Sequence, residues 1–252
     1  MTWEMSLDST TDTGFRSEMD KAIREAFEPA GLTPTEQQIK QLVDYAECLV
    51  ETNRVMNLTA ITDPAGIAQL HYVDSLMLLP HLPPAGLLVD VGTGAGLPGI
   101  PLKIMRPDLE VVLVDSLAKR VRFLKNTIER LGLSTVTCLH ARAEEAGRDQ
   151  NLRGKAAVVT ARAVAALPVL AEYCLPLLAV GGSFLAMKGR LTQTEAKAGQ
   201  RAARKLGGRV IESLSYVLPA SDVARTLVII KQEKNSPKTY PRKPGTPAKH
   251  PL

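Results

Sequence analysis

The chain has 252 residues, a net charge of +5 and 45% hydrophobic residues, enough apolar material for one sizeable core. A charged leader with an apolar stretch behind it is missing, as is any apolar run able to span a bilayer, which points away from secretion and from the membrane. Cys48, Cys138 and Cys174 are scattered and odd in number, so they read as free thiols of a reducing cytoplasm. None lies at ligand spacing from His71, His81, His140 or His250, so no metal site is expected.

Residues 1–16 are polar and aperiodic and are expected to be a disordered extension. From Ser17 to Pro80 the pattern is helical. Ile39, Leu42, Val43, Ala46, Leu49 and Val50 recur at three- and four-residue steps as one stripe. Thr33-Pro34-Thr35-Glu36 opens that helix, with Pro34 in its first turn. A loop follows over Asn53 to Thr62, then a helix from Pro64 to Leu79. Pro80, Pro83, Pro84 and Gly86 mark the end of a helical cap spanning 17–84. Over 85–233 the chain alternates. Buried strands are expected at 87–91, 110–115, 135–139, 156–160 and 183–187, with helices at 99–105, 119–131, 167–178 and 192–206. This alternation implies right-handed βαβ crossovers and a parallel sheet with helices on both faces. Strands at 209–217 and 226–231 are separated by too few residues for a crossover helix, so they must form an antiparallel hairpin. Between Lys231 and Leu252 lie Lys231, Lys234, Lys238, Arg242, Lys243 and Lys249 against Glu233 alone, the whole of the net charge. Residues 234–252 thus form a basic tail that suggests a polyanionic partner. Pro237, Pro241, Pro244, Pro247 and Pro251 forbid helix or central strand there. We expect an extended arm that contacts phosphates or lies across the domain beside the cleft.

The segment Leu87-Leu88-Val89-Asp90-Val91-Gly92-Thr93-Gly94-Ala95-Gly96-Leu97-Pro98-Gly99 carries the most chemistry. Its glycines let backbone approach a nucleotide-like ligand closely, and the N–H groups of the next helix point toward the same place. Gly94, Gly96 and Gly99, with Asp115 beyond, also satisfy the spacing of an NAD site. Two features favour S-adenosylmethionine (SAM) instead. Asp90 sits within the strand, where its carboxylate can meet a methionine ammonium, and Gly92-x-Gly94-x-Gly96 alternates tightly. The reversed final strand favours SAM independently, since NAD domains usually continue all-parallel.

Asp115 ends the second strand, where an acid can accept both ribose hydroxyls. Ala143 and Glu144 follow the third strand, the usual contact zone of the adenine edge. Arg162 ends the fourth strand and should point into the cleft, toward a carboxylate or a phosphate. Lys119, Arg120, Arg122 and Lys125 line the exposed face of a helix that starts beside the cleft, which suits RNA phosphates as well as plain solvation. No cysteine is poised as the nucleophile that pyrimidine C5 methylation needs. Thr160-Ala161-Arg162-Ala163-Val164 stands where exocyclic amine methylation would place Asn/Asp-Pro-Pro-aromatic. An acceptor with an exposed lone pair remains, either a ring nitrogen or a hydroxyl. Guanine N7 is such an acceptor and needs no general base.

Several motifs occur in a fixed order: Asn57-Leu58-Thr59-Ala60-Ile61, His71-Tyr72-Val73-Asp74-Ser75-Leu76, the glycine loop, Asp115-Ser116-Leu117-Ala118-Lys119-Arg120, Arg142-Ala143-Glu144, Arg162-Ala163, Lys188-Gly189 and Tyr240-Pro241-Arg242-Lys243-Pro244-Gly245. Together they resemble the bacterial ribosomal RNA small subunit methyltransferase G family over about Leu32 to Leu252. The resemblance implies a Rossmann-like SAM-dependent methyltransferase fold: a mostly parallel seven-stranded sheet, a C-terminal antiparallel hairpin and an N-terminal helical cap. It implies cytoplasmic methylation of N7 of one guanine, family position 527, in the decoding-region loop of 16S rRNA. The substrate is then naked 16S rRNA or the small ribosomal subunit, with no membrane, no metal and no required oligomer. Family cofactor contacts fall on Gly92, Leu97, Ala143, Glu144 and Arg162. Asn57, His71, Lys119, Arg120, Arg122, Lys188, Arg242 and Lys243 are candidates for RNA contact; Asn57, His71 and Asp74 equally suit a role tying the cap to the sheet. A different class, a non-catalytic RNA- or ribosome-binding module with SAM as a structural ligand, disagrees with the intact loop, Asp115 and Arg162.

Overall fold

The computed structural model describes residues 9–162 and 164–252. Helix α1 spans Ser9–Phe27 and α2 Glu36–Met56. The expected disorder of 1–16 is therefore corrected from Ser9 onward, and its remainder lies outside the described residues. The early turns of α1 lack an apolar stripe of their own. Arg16 pairs with Asp44 and Glu47 of α2, and Phe15 packs on the core. The N-cap of α2 is Thr35, reciprocally bonded with Gln38, so Pro34 precedes the helix instead of lying in its first turn. At the other end Asn57 caps α2 in the left-handed region (φ 45°), a conformation asparagine tolerates.

The expected helix over 64–79 is a composite. A short α3 (Pro64–Gly66) leads into a π-helical turn (Ile67–Val73), then α4 (Asp74–Leu76), with a 3-10 turn at Leu79–His81. The strands follow with their helices: β1 (Leu87–Val91), α5 (Gly99–Met105), β2 (Glu110–Asp115), α6 (Ala118–Arg130), β3 (Val136–His140), α7 (Ala143–Ala146), β4 (Ala156–Arg162) and α8 (Leu167–Cys174). Helix α8 stops short of the expected 178. Pro176 offers no N–H and clashes one turn back, so the chain tightens into a 3-10 turn at Leu175–Leu177 and enters β5 (Leu178–Lys188). Then come α9 (Gln193–Lys205), β6 (Gly208–Val217), β7 (Ala224–Gln232) and α10 (Thr246–Lys249).

The seven strands run in the order β3-β2-β1-β4-β5-β7-β6. The first five are parallel, and β7 runs antiparallel between β5 and β6. The chain steps outward from β1 to β3, then returns to β4. The carboxyl ends of β1 and β4 therefore flank the point where the order reverses, the place where open α/β sheets bind ligands.

Strand alternation divides the apolar residues into two cores. Leu88, Val111 and Leu113 face one way, packing with Met19, Leu42, Tyr72, Ile100 and Leu124. Val89, Val91 and Val112 face the other, packing with Leu170, Tyr173, Phe184 and Ala202. The first core runs unbroken from α1 and α2 into the sheet, so the helices before residue 85 share their interior with the strands after it. Among the described residues no helix is long and apolar enough to cross a membrane.

Candidate functional site

The loop after β1 is built from its own backbone. Gly92 and Thr93 N–H donate to Val114 O of the neighbouring strand, and Gly96 and Leu97 N–H to Thr93 O. Two of its glycines answer to different needs. A Cβ on Gly96 would lie 2.4 Å from Ile100 Cδ1, and the residue's φ is +101°, so Gly96 is demanded by packing. Gly94 also has positive φ, +61°, yet the nearest atom to a Cβ there is Gly92 O at 4.0 Å. The space beside Gly94 is open to a ligand.

Asp90 is fully buried. Its Oδ2 accepts the Thr93 hydroxyl at 2.6 Å and the Gly99 N–H at 2.9 Å. The first amide of α5 thus serves Asp90, which corrects the expectation that this helix start faces the ligand. Asp90 Oδ1 is buried without a hydrogen-bond partner. Burial, opposed by the Thr93 and Gly99 hydrogen bonds, pushes the carboxyl up to about 6. A buried carboxylate oxygen lacking a partner is costly, and an ammonium group would satisfy it.

Asp115 ends β2 and is almost fully buried. Its Oδ2 accepts Gly94 N–H at 3.0 Å and its Oδ1 accepts Leu117 N–H at 2.9 Å, with Arg120 Nη1 at 3.5 Å. Each oxygen keeps a second acceptor position for a hydroxyl. Leu97 is buried in the loop, and Tyr45, fully buried on α2, donates its hydroxyl to Ala95 O at 2.7 Å. Ala143 opens α7; Glu144 is buried, but its Oε1 accepts Gly245 N–H at 2.8 Å. The open space at Gly94, the orphaned Asp90 oxygen and the acid ending β2 together fit SAM.

A second cleft, of about 390 Å³, lies at the carboxyl ends of β4 and β5 and is lined by Ile61, His71, Asp74, Arg162, Lys188 and Arg225, among others. Arg162 does point inward and meets a carboxylate. Its Nη1 donates to Asp74 Oδ2 at 3.2 Å and to Leu70 O at 3.1 Å. Asp74 Oδ1 accepts Arg225 Nε at 3.1 Å. One buried carboxylate just beyond the π-helical turn thus holds two guanidinium groups, each with donors to spare. Lys188 donates to Ala165 O at 2.8 Å and pairs with Glu195 at 2.9 Å. His71 is buried, with Nε2 2.9 Å from Thr59 Oγ1. Burial, then the Arg162 charge, lowers its pKa to about 4, so it is neutral near pH 7.

The RNA candidates separate by environment. Lys119, Arg122 and Lys243 are exposed. Lys119 and Arg122 flank a groove between α2 and α6, whereas Arg120 leans on Asp115. Arg242 is the main correction. Its guanidinium and its backbone N–H all bond Glu172, which is fully buried. The tail is not a free arm: it lies across the domain, and Tyr240 and Leu252 pack on the second core. Nor do its prolines exclude helix, because Pro247 occupies the first turn of α10, where a missing N–H is harmless. Sequence reasoning missed Arg225 and Tyr45. The antiparallel pairing that puts Thr226 opposite Lys188 was the available signal for Arg225; Tyr45 gave none beyond its place on α2.

A parallel sheet finished by an antiparallel pair, with a glycine loop after β1 and an acid ending β2, defines the Rossmann-like methyltransferases. Among solved structures the fold matches the antibiotic-resistance methyltransferase Kmr, with TM-score 0.51 at 18% identity over 60% of this chain and 88% of that one. It also matches a candidate S-adenosyl-L-methionine-dependent methyltransferase of Methanococcus maripaludis, with TM-score 0.53 at 12% identity over 75% and 92%. The profile described as rRNA small subunit methyltransferase G matches residues 38–220. Proteins named ribosomal RNA small subunit methyltransferase G are 46% identical in Acetivibrio thermocellus (92% of this chain, 96% of that one) and 46% identical in Pelotomaculum thermopropionicum (94% and 100%). The chain belongs to this family of SAM-dependent methyltransferases.

Proposed function

We propose that the protein methylates N7 of a single guanine, family position 527, in the decoding-region loop of 16S rRNA in the bacterial cytoplasm. The observation that carries this reading is the cationic cleft beside the glycine loop. Arg162, Arg225 and Lys188 can receive an RNA phosphate or the electron-rich edge of a purine. The titratable groups there are poor bases: His71, its Nε2 on Thr59, has its pKa lowered to about 4, and Asp74 is engaged by two arginines. An acceptor nitrogen that carries no proton needs none removed.

SAM, when bound, supplies an electrophilic methyl group. Asp90 would hold its ammonium, Gly92, Gly94, Gly96 and Leu97 its flank, Asp115 the ribose, and Ala143 and Glu144 the adenine edge. Arg162 reaches from β4 toward the cap and lies between the two sites. Its contribution is position, and holding both reactants in line can supply about 7–11 kcal/mol of the barrier. Lys119 and Arg122, on the α2–α6 groove, are the better RNA-phosphate face; Lys243 is exposed elsewhere, on the C-terminal tail. Small subunits from a strain lacking this enzyme should gain one methyl group on that guanine, mapped by primer extension and mass spectrometry. A methyl on another nucleotide, or on an exocyclic amine, would overturn the reading.

A further inference from the structure

The C-terminal strap closes on the element that holds Ala143 and Glu144. Helix α7 has only four residues, far too few to be stable alone. Locally it is held by backbone bonds, Ala146 N–H to Arg142 O and Gly147 N–H to Ala143 O, and by Arg142 N–H to Glu145 Oε2 at 2.8 Å. Ala146 packs into the second core, and the strap adds further ties. Gly245 N–H donates to Glu144 Oε1 at 2.8 Å. Pro241 sits so close that a Cβ on Gly147 would lie 2.9 Å from its Cγ. Arg148 donates to Pro241 O and Thr239 O. Arg153 spans both partners, giving Nη1 to Gly147 O at 2.7 Å and Tyr240 O at 2.8 Å, and Nη2 to Ser236 O and Pro237 O.

Composition explains the fit. Prolines remove donors from the strap and leave carbonyls, and the two arginines supply the missing donors. The strap is in turn anchored to α8 through Arg242 and buried Glu172, with contacts of 2.6 to 3.1 Å. The next residue of α8, Tyr173, contacts Glu144, and burial together with that carboxylate raises its phenol pKa. Strap, α7 and α8 therefore form a closed triangle, with one acid at each contact with the strap.

We propose that the strap is a positioning element of the cofactor site: through Glu144 and Glu172 it holds α7 at the adenosine end, leaving the backbone of Ala143 and Glu144 to meet the ligand. Its loss is felt as weaker SAM binding and not as weaker rRNA binding. The proposal rests on the reading that Ala143 and Glu144 contact adenosine.

The test uses three variants of the full chain, Arg242→Met, Arg242→Lys and Asp115→Asn, and one truncated after Glu233. SAM affinity is measured by calorimetry, rRNA affinity by filter binding at several salt concentrations, and folding by circular dichroism. Arg242→Met and the truncation should raise the KM for SAM about 5-fold or more, the effect of one lost hydrogen bond. The rate at saturating SAM should persist, and Arg242→Lys should recover part of the affinity. The amides of 143–147 should exchange faster in Arg242→Met. A merely destabilised protein would instead show a lower rate with unchanged KM. Folded strap variants that bind SAM as the parent does, while Asp115→Asn weakens it, overturn the proposal. An unaltered affinity in Asp115→Asn overturns the underlying reading of the site instead. Should the truncated chain not fold, the two Arg242 variants decide.

Discussion

Removing the Tyr45 hydroxyl tests whether the helices before the sheet hold the glycine loop. The ring is fully buried and stacked on Tyr72, with centroids 5.7 Å apart, so Tyr45→Phe leaves the packing in place. Burial pushes the phenol pKa well above its usual value, so the group is a donor at every working pH. Its bond to Ala95 O is 2.7 Å long, the preferred length for O–H···O. Losing it strands a carbonyl in a buried loop, which costs about 1–2 kcal/mol. For a chain of this size Tm should fall by roughly 2–4 °C per kcal/mol. Calorimetry should also show weaker SAM binding, because Ala95 lies between Gly94 and Gly96. Tyr72→Phe is the control: that hydroxyl donates to Leu42 O within α2 at 2.8 Å, so SAM affinity should not change. A Tyr45→Phe protein with unaltered Tm and SAM affinity would refute the reasoning.

Gly94→Ala should fold with a strain of about 1 kcal/mol yet bind SAM poorly, whereas Gly96→Ala should lose stability outright because its Cβ meets Ile100; melting curves and calorimetry on both would contradict this if the two behave alike. SAM affinity should drop up to about tenfold per pH unit below pH 6, as Asp90 protonates and the ammonium loses its partner. Asp90→Asn should abolish that slope, and a parent profile flat from about pH 7 to 5 would count against the ammonium site. His71 has its folded pKa lowered to about 4, so the unfolded chain binds the extra proton. Its contribution is complete above about pH 6.5 and fades as pH falls toward 4, on the order of 3 kcal/mol in all; denaturation of His71→Gln should show a shallower acid limb. Single-turnover methyl transfer at saturating SAM and rRNA should be level between about pH 6.5 and 8, and a one-proton rise there would reveal a general base.

Strands β1, β2 and β4 were legible because parallel strands buried on both faces read as continuous Val/Leu runs; β3, expected to be buried, lies at the sheet edge and is partly exposed. The final hairpin was legible because a short connection leaves no room for a crossover. Asp90, the glycines and Asp115 could be placed because local geometry dictates their positions. What escaped depends on distance along the chain. Asp74 meets an arginine 88 residues away and another 151 residues away, and nothing local announces either pairing. The strap escaped for a similar reason. Charge counting sees six cations and expects solvent or phosphate, while the buried Glu172 that captures Arg242 lies in an apolar helix. The helix before Ser17 was hidden because Arg16 draws its partners, Asp44 and Glu47, from α2.

The doubly held Asp74 also bears on turnover. Any anion entering the cleft meets guanidinium groups already partly neutralised by a carboxylate, so it shares them with Asp74. The net gain per contact is smaller than a bare arginine pair would give, and release is correspondingly quicker. A catalyst that must leave a large product benefits from such a loose grip. Binding strength expressed equally before and after reaction lowers KM without raising kcat, and Asp74 keeps that part of the grip small.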